Sequence, residues 1–149
     1  MTTPLRMSEF FVMEASEYLD RLDTLITTPA TPDVDEFLRI ARALRGSALM
    51  ANQHPIAMVA AGIENLARAV REKRRPWDAG TRQIAIGAVD GIKVLVRRIP
   101  EWNSADDLKA RDLAGELERA SGRATVPARG AGPLGRYGRE IEGALACGE

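Results

Sequence analysis

Apolar residues recur three and four positions apart over most of the chain up to residue 120, the spacing of helices that bury one face. In the first segment Phe11, Ala15, Leu19, Leu22 and Ile26 form one stripe, with Ser8 as the predicted cap and Pro29 and Pro32 as the stop. A second helix is predicted from Thr31 as cap, with Pro32 in its first turn. Its buried side runs through Val34, Phe37, Ala41, Leu44 and Ala48 until Asn52, a residue type that tolerates the left-handed conformation closing many helices. The third begins at Pro55 and carries Ile56, Val59, Ile63, Leu66 and Val70. It ends in the basic run 71–75 before Pro76, where cations suit the carbonyl end of a helix. The fourth, capped by Asp78, buries Ala85, Ala88, Ile92, Leu95 and Ile99 up to Pro100, and Gly87 and Gly91 leave room for a neighbour to approach. Four helices of similar length joined by short loops predict an all-α fold, an antiparallel up-and-down four-helix bundle.

Beyond the bundle, a fifth helix is expected from Ser104, with Asp107 three residues on, carrying Leu108, Leu113 and Leu117 and stopping at Gly122. It should pack on the end or side of the bundle. Residues 121–135 are rich in Gly, Pro and Ala and have no apolar period, which predicts a flexible linker. In the last stretch Leu134, Tyr137, Ile141 and Leu145 keep helical spacing, but Gly135, Gly138 and Gly143 each weaken a helix by about 1 kcal/mol. The expected organisation is therefore a helical bundle over 1–120, a linker over 121–135 and a short docking helix over 136–149 that orders on contact.

Composition narrows the function classes. A chain of 149 residues with 45% apolar and 28% charged residues makes one globular domain plus a tail and is far from the signature of disorder. With 21 basic and 21 acidic residues it has no overall field to attract nucleic acid or an anionic bilayer. The single cysteine, Cys147, excludes an internal disulfide, and with His54 as the one histidine a Cys/His zinc site cannot be assembled. The longest apolar run, 56–63, is too short to cross a bilayer, and MTTPLRMSEFF lacks the order of a signal peptide, so the cytoplasm is the expected compartment and no cofactor is expected. Charge is nonetheless segregated. Over residues 1–38 the acids Glu9, Glu14, Glu17, Asp20, Asp23, Asp33, Asp35 and Glu36 face only Arg6 and Arg21. Over 39–75 the bases Arg39, Arg42, Arg45, Arg68, Arg71, Lys73, Arg74 and Arg75 face only Glu64 and Glu72. The second and third helices should carry a basic face, either a contact surface or a solvated exterior.

The most informative stretch is residues 37–65, FLRIARALRGSALMANQHPIAMVAAGIEN. Helix geometry puts Arg42, Arg45 and Gly46 on one face, opposite the stripe of Phe37, Ala41 and Leu44. A glycine inside a helix costs stability, so Gly46 calls for a reason: a bare patch one turn beyond Arg42 lets another surface come close, or lets helices pack. Here the sequence resembles the histidine-containing phosphotransfer (HPt) domain, most closely the one opening chemotaxis-type histidine kinases. That family reads approximately His-x-Leu-Lys-Gly-Ser-Ala, then a helix end and a third helix. The counterpart in this chain is Arg42, Ala43, Leu44, Arg45, Gly46, Ser47 and Ala48, with Asn52 at the turn and Ala61, Gly62, Ile63, Glu64 and Asn65 in the third helix, without a gap. FFVMEASEYLDRLDTLI looks like the family's first helix and AVDGIKVLVRRI like its fourth, so the resemblance covers about residues 8–100.

The resemblance implies a four-helix bundle whose histidine passes a phosphoryl group to or from a receiver-domain aspartate, with the receiver docked on the second and third helices. This chain departs from the pattern at the chemistry: Arg42 stands at the histidine's place, Arg45 at that of a helper lysine and Ala61 at that of a second histidine. A guanidinium stays protonated at ordinary pH and offers no lone pair, so Arg42 cannot accept phosphorus. Glu64 remains. With the hairpin turning at Gln53, Arg42 and Glu64 are equidistant from the turn, which predicts that they pair across the two helices. His54 precedes Pro55 and belongs to the turn, a poor substitute phosphoacceptor. Ser47 has no histidine base beside it, the acid pairs Asp106/Asp107 and Glu116/Glu118 read as exposed helix positions, and Trp77, Trp102, Met50 and Met58 read as core or bundle-end caps.

The expectation is a catalytically inactive pseudo-HPt protein of two-component or chemotaxis-type signalling. It would bind a response-regulator receiver domain or a histidine kinase through Arg39, Arg42, Arg45, Gly46 and Glu64. One alternative is a homo-oligomerising scaffold using Gly87 and Gly91 or the segment 134–145. The other is a small-molecule enzyme on a helical bundle, for which the arginines would have to line a pocket between helices.

Overall fold

The computed structural model describes residues 4–28 and 30–122. Its elements are α1 (Pro4–Ile26), α2 (Val34–Met50), α3 (His54–Arg71), α4 (Ala79–Arg97), a 3-10 turn (Ile99–Glu101) and α5 (Ser104–Ala120). The all-α bundle with an added fifth helix is as the periodicity predicts. The predicted docking helix, and the linker from residue 123 on, lie outside the described residues. Gly122 ends α5 as predicted, at a φ of 76°, a left-handed conformation suited to glycine, and Ser121 before it is buried as the C-cap.

Most stripe positions are buried as read; Val34 and Ile99 are only half-buried, Ile99 lying in the 3-10 turn past α4, and Leu108 of α5 is exposed. Phe11, Ala15, Leu19, Leu22 and Ile26 of α1, Phe37, Ala41, Leu44 and Ala48 of α2, and the five predicted positions of α3 are all buried. So are Ala85, Ala88, Ile92 and Leu95 of α4. Full burial stabilises each large apolar side chain by about 1.5–3 kcal/mol, so these stripes supply the core. Several helix starts differ from expectation, at α2 and α5 because another side-chain oxygen accepts from the first-turn N–H groups. α1 begins at Pro4 rather than at Ser8. Asp33, not Thr31, caps α2 by accepting from the Glu36 backbone N–H at 3.2 Å. α3 opens at His54 with Pro55 inside its first turn. Asn103 caps α5 in a reciprocal box with Asp106. Asp78 caps α4 as predicted, accepting from Thr81 N–H at 2.8 Å, and Asn52 ends the α2 turn at φ 59°.

α1 packs on α2 and α4, α2 packs on α3, and α5 lies in the groove over α3 and α4. Two glycines make that seat. A Cβ on Gly91 would lie 2.5 Å from Leu113 Cδ1, and one on Gly62 would lie 3.0 Å from Leu117 Cβ. The neighbour that Gly91 admits is therefore α5 of the same chain, so Gly91 is unavailable for contact between copies, while Gly87 meets nothing within 4 Å among the described residues. The basic run after α3 serves the same junction: Arg74 and Arg75 donate to the Ser121 and Ala120 carbonyls at 2.8 and 3.0 Å, satisfying the end of α5. Replacing Gly87 with alanine is expected to raise stability by about 0.5–1 kcal/mol through helix propensity alone. Gly62→Ala gains the same propensity, but its Cβ must displace Leu117, at an overpacking cost of about 1–3 kcal/mol. Thermal denaturation should therefore move Tm upward for Gly87→Ala and downward for Gly62→Ala; a rise for both would mean that α5 yields freely.

Candidate functional site

The site is built on the α2–α3 hairpin. Arg42 and Arg45 project from one side of α2, and Glu64 faces them from α3. Arg42 donates through Nε to Glu64 Oε2 at 3.2 Å, the pair that symmetry about the turn predicts. Arg45 donates through Nε to Glu64 Oε1 at 2.8 Å, and Arg68, one turn along α3, donates through Nη2 to Glu64 Oε2 at 3.0 Å. A second Arg68 nitrogen, Nη1, is tied to Asn65 Oδ1 at 2.9 Å. Sequence reasoning left Arg68 out of the site, although its four-residue spacing from Glu64 on α3 was the available signal.

Burial is graded through the cluster. The Glu64 side chain is 7% exposed, Arg45 35% and Arg42 56%, so the carboxylate lies underneath and the guanidiniums lie above it. Burial by itself raises the Glu64 pKa. The hydrogen bonds from Arg45, Arg42 and Arg68 and the Arg45 charge outweigh it and hold the carboxyl below its ordinary range, ionised at neutral pH. Arg39, an expected member of the same surface, is exposed and forked onto Glu36 at 2.6 and 3.0 Å, one turn below. Gly46 has nothing within 4 Å of where a Cβ would sit, so no packing among the described residues explains it.

On the other side of Gly46 an apolar groove of about 510 Å³ runs between α1 and α2, lined by Met7, Phe10, Phe11, Tyr18, Ala43 and Met50 among others. Ser47 donates to Glu14 across the same junction. Phe10 and Met50 are 72% and 82% exposed. Met50 and Met58 are thus surface residues rather than caps: Met50 ends α2 beyond the last buried residue, Ala48, and Met58 lies on the outer side of α3 between the buried Ala57 and Val59. The tryptophans do close the ends: Trp77 meets Phe37 edge-to-face at 6.0 Å, and Trp102 donates to Asp107 at 2.9 Å. His54 is exposed in the first turn of α3, at the hairpin end. No group of His, Cys, Asp or Glu side chains among the described residues is arranged to hold a metal ion, and no described helix is long and apolar enough to cross a membrane.

A family model for the Hpt domain matches residues 6–101, which spans α1 to α4 and the whole of the arginine site. The chain belongs to the Hpt domain family. It is therefore related to the phosphotransfer modules of two-component phosphorelays, which interact with response-regulator receivers and kinases. No curated protein and no solved structure matches it. Within this Hpt domain α5 is an addition beyond the matched residues, and it covers the α3–α4 side, away from the arginine site on α2 and α3.

Proposed function

We propose that this chain is a pseudo-Hpt protein: the bundle retained as a docking surface for a receiver domain or a histidine kinase of chemotaxis-type signalling, without phosphoryl transfer. Arg42 carries the reading. At the place where the family's pattern has its imidazole, it presents a protonated guanidinium pinned to a buried carboxylate, which cannot attack phosphorus. His54, the chain's one histidine, lies at the hairpin end rather than on this mid-helix face. A basic centre at Arg42 and Arg45, a bare Gly46 and an exposed apolar flank at Phe10 and Met50 have the make-up of a protein interface. The flank extends the surface onto α1, beyond the two helices that the sequence suggests. The arginines lie outside the bundle rather than around an internal pocket, which disfavours a small-molecule enzyme.

The test titrates the chain against receiver domains and kinases of its host. Arg42→Ala is expected to weaken the cognate complex about tenfold or more, the loss of roughly 1.4 kcal/mol that a central charged contact carries. Gly46→Ala should separate stability from function: alanine adds about 0.5–1 kcal/mol of helix stability while its methyl group lowers affinity. Equal affinity of the wild type and both variants would defeat the proposal.

A further inference from the structure

We propose that the arginines held over Glu64 form a phosphoryl-binding site, through which the chain recognises a receiver in its phosphorylated state. This rests on the docking reading and specifies what the surface grips. Three guanidiniums meet one carboxylate, so the cluster keeps an excess of two positive charges after Glu64 is counted. Both Glu64 oxygens are occupied, Oε1 by Arg45 and Oε2 by Arg42 and Arg68. With three of its roughly four acceptor positions filled, the carboxylate serves as a staple.

The donors are differently placed. Arg68 spends its Nη groups on Glu64 and Asn65, but Arg42 and Arg45 reach Glu64 through Nε alone. Both Nη nitrogens of each have no hydrogen-bond partner among the described residues, on side chains that are 56% and 35% exposed. The staple orients two guanidinium forks above the surface, so part of the rotamer freedom is given up before any ligand arrives. A carboxylate brings one charge and two acceptor oxygens and leaves half the excess unmatched. A phosphoryl group at neutral pH brings close to two charges and three acceptor oxygens, which matches both the excess and the pair of forks. The open space at Gly46, one turn from Arg42, lets the backbone that bears such a group come near. Arginine offers no lone pair, so no bond to phosphorus forms or breaks: the group is held, not accepted.

The experiment compares one receiver domain of the host in two states, unloaded and carrying beryllofluoride as the acyl-phosphate mimic, each titrated into the full chain. The loaded state is expected to bind about tenfold tighter or more, and Arg42→Ala and Arg45→Ala are each expected to bring that ratio close to one. In a second arm, inorganic phosphate is titrated at constant ionic strength while the arginine Nε–H resonances are followed. Shifts at Arg42 and Arg45, with Arg39 unmoved, locate the anion without any partner. Equal affinity for the two receiver states overturns the phosphoryl inference and leaves the docking reading standing; no binding of any receiver in either state overturns the inference together with the receiver half of the docking reading. Phosphate shifts without a receiver preference would mean a site for a free anion, and the inference as stated would fall.

Discussion

Truncating Leu117 to alanine is expected to lower the unfolding free energy by about 2–5 kcal/mol, the range for deleting a fully buried leucine side chain. Leu117 is 1% exposed and sits directly on Gly62, where any side chain on α3 would collide with it. The cavity left by alanine cannot close from the α3 side, because glycine has no atoms to move into it, so the cost should fall toward the upper end. Leu108 provides the contrast. It is 55% exposed on the same helix, and Leu108→Ala should change stability by about 0.5 kcal/mol or less. Urea denaturation followed by Trp77 and Trp102 fluorescence measures both. Near-equal effects would mean that α5 is peripheral rather than part of the core, even though it lies beyond the residues matched by the family.

The second large effect concerns Glu64. Its replacement by glutamine should destabilise the folded chain at neutral pH by about 1–2 kcal/mol. That is less than the roughly 3–5 kcal/mol for breaking a fully buried ion pair, because the arginines are 28–56% exposed and water takes over part of the carboxylate's role. The pH dependence has a defined sign. The folded pKa of Glu64 is depressed, so its contribution is fully present above the ordinary carboxylate value near ~4.3 and is lost as pH falls through the lower folded value. The stability gap between wild type and Glu64→Gln should therefore stay constant from neutral pH down to about pH 5 and close below it. A gap that widens on acidification would show that the carboxyl is not the ionised centre of the cluster. The same variant frees Arg42 and Arg45 from their anchor, so partner affinity should drop even though Glu64 itself lies beneath the surface.

Several features of this site were legible in the chain. Arg42 and Glu64 meet because both stand the same distance from Gln53 in a hairpin of two helices, and that relation needs only the turn position and the rise per residue. The openness of Gly46 was readable as a cost without a local reason. Arg45 and Arg68 were not assigned to Glu64, because their reach depends on side-chain rotamers and on how closely the two helices approach. The exposure of Phe10 and Met50 also escaped periodicity. Both lie near the edge of their apolar stripes, and only the angle between α1 and α2 decides whether such positions fall inside or outside.

By itself the sequence determined the helices, the faces they bury, the turn at Asn52 and the identity of the side chain at position 42, since each depends on neighbours within a few residues along one backbone. Tertiary structure alone decided that three arginines share one buried carboxylate. It also decided that α5 fills the groove over Gly62 and Gly91, and that Arg74 and Arg75 close its far end. Apart from Arg68 and Glu64, one turn apart on α3, these contacts join residues far apart in the chain, and their existence depends on packing distances that a one-dimensional pattern does not encode.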